Sequence, residues 1–144
     1  MWFVRMERTV LDPDELAPPN GFNHGIVVDG GRTLYLAGQD ASGPDGDIVA
    51  RGDLVGQFER ALENLATVVE EAGGTSEDVV KLTIYVADRE EYRANLGPLG
   101  DVFGQYFEEY PAVALFEVSG FFEADALVEL EGTAVLDGGD DDAR

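Results

Sequence analysis

Apolar residues recur at three- and four-residue spacing through Leu54, Phe58, Ala61, Leu62, Leu65, Val68, Val69 and Ala72, which predicts an amphipathic helix and gives the strongest helical signal of the chain. Asp53 is placed to cap its first amides, and Gly73-Gly74 supplies a left-handed stop. From Val79 to Val86 the period falls to two, with Val80, Leu82, Ile84 and Val86 on one face and Lys81, Thr83 and Tyr85 on the other, so this segment reads as a well-buried strand. Asp88 followed by Glu91 resembles a capping box and opens a second helix through Tyr92, Leu96, Leu99, Phe103, Tyr106 and Phe107. Gly97-Pro98 should kink or restart it.

Shorter signals flank this centre. Phe3 to Arg8 reads as an opening strand, and Asp12 to Gly21, with Pro13, Pro18 and Pro19, as turns. Ile26 to Val28 and Thr33 to Ala37 flank Asp29-Gly30-Gly31, a hairpin signal. Asp40 to Gly52 reads as a surface loop. Pro111 ends the helical stretch, and strands follow over Val113 to Ser119 and Leu127 to Leu136. The expected organisation is one domain over residues 1–136 with an acidic polar tail, 137–144. Two helices cover only one face of such a sheet. Apolar positions assigned to the opposite face, Val113, Leu115, Leu127 and Val135, call for another cover, and subunit association is the simplest.

Composition narrows the function classes. The chain has 144 residues and a formal charge of −21, from 30 acidic against 9 basic side chains. The acids are spread along the chain, which points to adaptation to high salt rather than to one surface for a cationic partner. The scattered arginines and the single lysine, Lys81, form no basic stripe, so nucleic-acid binding is disfavoured. The absence of cysteine excludes disulfides, thiolate nucleophiles and Cys-ligated zinc, and the one histidine, His24, excludes a His-rich metal site within one subunit; a carboxylate-only site stays open. No run is long and apolar enough to span a membrane, and the charged Arg5, Glu7 and Arg8 do not fit a signal peptide, so a cytoplasmic location is expected.

Several short motifs, in order over residues 20 to 136, resemble the RidA (YjgF) family. Ala37-Gly38-Gln39 is similar to its Ser-Gly-Gln; Gln57, Asn64, Ala72 and Gly73 sit as in its first helix. Asp78 to Val86 looks like its central strand, and Tyr110-Pro111-Ala112 and Val128-Glu129-Leu130-Glu131 look like its closing signature. The resemblance implies an α+β, chorismate-mutase-like fold: a mixed sheet of about six strands, two helices on one face, and a homotrimer with a central barrel and ligand sites in the intersubunit clefts. It implies hydrolysis of reactive imines and enamines, such as 2-aminoacrylate, to a keto acid and ammonia, and no cofactor.

By the same resemblance an arginine that grips the substrate carboxylate falls at Val113, a frequent cysteine at Leu115, and an early-loop tyrosine at Phe22, while Glu129 matches the acidic residue that positions or activates water. A carboxylate against valine and leucine would lack a charge-assisted partner worth about 1.5–3 kcal/mol. A 2-imino acid is therefore a poor substrate here, unless Arg32, Arg51 or Arg93 replaces the anchor. His24 reads either as a general base or ligand contact or as a plain hydrogen-bonded histidine. Glu117 reads as pocket lining or an interface ion pair, Gly38 and Gln39 as strand-end shape or an amide for a ligand oxygen, and Asn95 as a cleft contact or helix cap. Glu131 shares a face with Glu129. Three functions remain: an imine or enamine hydrolase with an altered substrate range, a non-catalytic trimeric module for a small metabolite, and a disfavoured endoribonuclease.

Overall fold

A computed structural model describes residues 6–138. The expected strand at Phe3 to Arg8 and the tail at 137–144 fall partly outside these residues. Six strands and three helices follow in the order β1 (Glu7–Leu11), β2 (Gly25–Asp29), β3 (Arg32–Gln39), α1 (Leu54–Glu71), β4 (Val79–Val86), α2 (Arg89–Ala94), α3 (Leu96–Tyr106), β5 (Ala112–Glu117) and β6 (Val128–Leu136).

Helix α1 has the ends its sequence encodes. The Asp53 side chain accepts from the Gly56 amide, and Gly73, at φ 95°, takes the left-handed conformation beyond the last turn. Its apolar stripe packs on the sheet: Phe58, Ala61, Leu65 and Val69 are fully buried, with Leu82, Val86, Val128 and Leu130 opposite in the same cluster. The second helical stretch is divided at Asn95 into α2 and α3. The Asp88 side chain accepts from the Glu90 and Glu91 amides at the start of α2, and Phe103 of α3 lies 6.1 Å from Phe58, centroid to centroid.

The strands form two sheets rather than one. β3, β6, β4 and β5 lie side by side in that order, and β1 and β2 pair separately. The anticipated hairpin is a correction of this kind: Gly30 and Gly31 do make the left-handed turn, but β2 pairs with β1 and β3 with β6. The reason lies in burial. β3 places Leu36 in the main cluster beside β6 with Leu34 packed against it, whereas β2 leaves Val27 45 % exposed. Gly31 passes so close to Val135 and Leu136 that a Cβ there would collide with both.

β5 runs parallel to β4, with Leu82 opposite Val113, Ile84 opposite Leu115 and Val86 opposite Glu117. Such partners share a face. Val113 and Leu115 therefore lie on the helix-covered face, packed with Leu127 against the main core, and not on the opposite face assigned to them from the sequence. Of those four residues Val135 alone alternates away from core residues Ala134 and Leu136. The open face instead presents Tyr35, Lys81, Thr83, Tyr85, Ala114, Phe116, Glu129, Glu131 and Thr133. Tyr35 and Phe116 are 80 % and 55 % exposed on it.

Candidate functional site

The candidate residues gather in two places, on opposite faces of the four-stranded sheet. The first is a cleft of about 470 Å³ between α3, the start of β5 and the loop before β2, lined by Phe22, Tyr92, Leu96, Phe103, Tyr110, Val113 and Leu115 among others. Asn23, buried and not singled out in the sequence, fastens the loop that carries the lining residues Asn20 to Phe22. Its backbone amide donates to the Pro111 carbonyl at 3.0 Å, and its side-chain nitrogen donates to the Tyr110 carbonyl at 2.7 Å and to Glu109 Oε2 at 2.9 Å. These bonds hold the early loop against the start of β5, and Phe22 and Val113 line the same cleft. Four aromatic rings wall the cleft, with Tyr110 stacked on Phe103 at 5.7 Å. Among the described residues no charged side chain lines it. Arg32 donates to the Asp137 carbonyl and Arg51 pairs with Asp125, both away from the cleft, and Arg93 in the last turn of α2 is not among the lining residues.

The second group lies at the β3–β6–β4 junction on the open face. Glu129 is the register partner of Tyr85, and its carboxylate occupies the space beside Gly38 where a Cβ would stand. Burial, then the charges of Asp40 and Glu131, push the Glu129 carboxyl above its ordinary range. The Tyr85 hydroxyl donates to Glu131 Oε1, and that hydrogen bond and burial hold the phenol up as well.

The remaining candidates have structural partners. His24 Nε2 donates to the Ala17 carbonyl at 2.8 Å, and the ring stands edge-on to Phe22 at 5.2 Å, behind the cleft rather than in it. Glu117 Oε1 accepts from the Arg89 amide at 2.9 Å and so holds the start of α2. Asn95 donates to the Glu91 carbonyl at 2.8 Å at the α2–α3 junction. Gln39 bends back to the Ala37 carbonyl. Tyr92 and Leu96, read from the sequence as apolar positions of the second helix, flank the break at Asn95 and line the cleft.

A four-stranded mixed sheet with helices on one face and a cleft beside its parallel edge strand defines an α+β protein of the RidA type. Residues 13–136 match the family model described as Endoribonuclease L-PSP, and the chain belongs to this family, that of RidA (YjgF). It is 32 % identical over 131 residues to a RutC family protein of Pyrococcus abyssi, covering 90 % of this chain and 98 % of that one. It is 30 % identical over 132 residues to the goat 2-iminobutanoate/2-iminopropanoate deaminase, covering 91 % and 89 % of the two chains. Among solved structures, a Rid family protein of Yersinia pestis superposes with a TM-score of 0.81 at 35 % identity over 90 % of this chain and 98 % of that one.

Proposed function

We propose that this chain is an imine or enamine hydrolase that works in clefts between the subunits of a homotrimer, with a substrate range shifted away from 2-imino acids. The observation that carries the reading is the division of the site: the aromatic cleft and the Gly38–Glu129 pair lie on opposite faces of one sheet. A single chain cannot bring them together. A neighbouring copy whose open face meets the cleft can, and three copies in a ring would also cover Tyr35 and Phe116. In the assembled cleft Glu129 takes a proton from the water that attacks the imine carbon and returns it to the departing nitrogen. Burial and the charges of Asp40 and Glu131 raise its proton affinity, which favours the uptake of that proton. The sequence Pro111-Ala112-Val113 places an aliphatic side chain where the family resemblance puts the carboxylate-gripping arginine.

Mass measurement in molar salt tests the assembly, and a stable monomer or dimer as the main species overturns the shared site. A coupled reaction that generates 2-aminoacrylate tests the chemistry. The native chain should release ammonia little faster than the blank, and Val113→Arg should gain turnover. Robust turnover by the native chain defeats the claim of a lost anchor. The uncharged cleft also suits a binding module without turnover, and that reading gains if no imine is hydrolysed. RNA cleavage, suggested by the family description, is opposed by the −21 charge and the single histidine.

A further inference from the structure

The cleft carries information about its ligand that the absent charge alone does not give. In a single chain, before a neighbour closes it, the cleft has about 470 Å³, more than a three-carbon imino acid needs. Phe22, Tyr92, Phe103 and Tyr110 offer ring faces and edges, and Val113 and Leu115 form the β5 side. Rings so arranged favour a planar or branched apolar group, through burial and through stacked or edge-on contact. Against the same lining an ionised carboxylate would give up its water and find no cation among the lining residues of its own chain. Tyr92 and Tyr110 bring the only hydroxyls among the lining residues, and they are donors suited to a neutral carbonyl or imine ligand. Burial keeps the Tyr92 phenol in that neutral form.

We propose that the cleft takes an imine that bears an aryl or branched alkyl group and no carboxylate, the kind formed when a primary amine is oxidised rather than when an amino acid is dehydrated. This deepens the hydrolase reading and rests on it for the turnover step. That step is balanced by water alone: the water oxygen bonds to the imine carbon, both water protons pass in turn to nitrogen, and the carbon–nitrogen bond breaks to give a ketone and ammonia. The reaction that supplies the substrate would belong to the amine oxidases.

Calorimetry on the assembled protein in molar salt tests the ligand class without turnover. The probes are 4-phenylbutan-2-one and 2-oxo-4-phenylbutanoate, which differ by a methyl group in place of a carboxylate. The ketone should bind at least about tenfold more tightly, a difference of about 1.4 kcal/mol, and Val113→Arg should reverse the order. Equal or tighter binding of the keto acid to the native chain overturns the proposal, and so does failure of both probes to bind. In a second arm an amine oxidase generates the imine of 4-phenylbutan-2-amine, and ammonia release is compared with the blank. Acceleration supports substrate class and hydrolase together. Ketone preference without acceleration upholds the ligand class and sinks the hydrolase reading instead.

Discussion

Gly38 leaves open the space that the Glu129 carboxylate fills. A Cβ at position 38 would overlap Glu129 Oε2 and crowd the carbons behind it. The colliding atom is the end of a flexible side chain, so Gly38→Ala should move the carboxylate rather than break the strand. We expect imine hydrolysis to fall by at least about tenfold, equivalent to about 1.4 kcal/mol of barrier, with little change in thermal midpoint. An unfolded or strongly destabilised variant would show that position 38 is structural instead.

Glu129 should also register in the dependence of stability on pH. Its carboxyl is raised by burial and by Asp40 and Glu131, so the folded chain holds that proton more tightly than the unfolded chain. The stabilisation this gives is complete below the ordinary carboxylate range, about pH 4.3, and is lost as pH rises through the folded value. Glu129→Gln escapes that loss. The midpoint of the variant minus that of the native protein should therefore grow from acid toward neutral pH, while ammonia release disappears. A difference that stays flat or shrinks contradicts the assignment.

Gln57 is fully buried in α1 and ties three backbone groups together. Its Nε2 donates to the Ala50 carbonyl at 3.3 Å and the Asp125 carbonyl at 3.1 Å, and its Oε1 accepts from the Leu127 amide at 2.8 Å. Gln57→Leu keeps the volume and orphans those groups, so we expect a loss of about 2–4 kcal/mol. Urea unfolding measures it, and a neutral result would mean that the loops re-pair without the amide.

Stability should rise with salt. Among the described residues three ion pairs are formed, Arg51–Asp125, Arg60–Glu63 and Arg89–Glu90, and none is buried. Exposed pairs offset little of a −21 charge. Molar salt shortens the screening length to about 3 Å and should raise the thermal midpoint. A midpoint that is unchanged or lower removes the case for adaptation to salt.

The long elements were legible in the sequence because each carries its own signal. α1 follows from a sustained period with Asp53 and Gly73 at its ends, β4 from strict alternation, and the division of the second helix from the Gly97-Pro98 disruption. Strand partners were not legible. The left-handed Gly30-Gly31 turn looks the same whether the strands beside it pair with each other or diverge to β1 and β6. The faces of Val113 and Leu115 depend on the parallel register with Leu82 and Ile84, a long-range choice that a short apolar strand does not encode. Glu129 stood out by resemblance, but its nearness to Gly38 and Asp40 depends on the β3–β6 pairing. Asn23 escaped notice because its role consists of bonds to residues more than eighty positions away.

The placement of the cleft and Glu129 on opposite faces of one sheet has a genetic consequence. In a closed ring each cleft would meet the glutamate of the next subunit, so damage to the two halves could reside in different chains and cancel. A Gly100→Arg chain, with its cleft blocked, and a Glu129→Gln chain would each be inactive alone. Co-refolded, every ring containing both kinds would have one junction where an intact cleft faces an intact glutamate. Mixing two dead proteins should therefore restore part of the activity. A site contained within single chains could not be rescued by mixing.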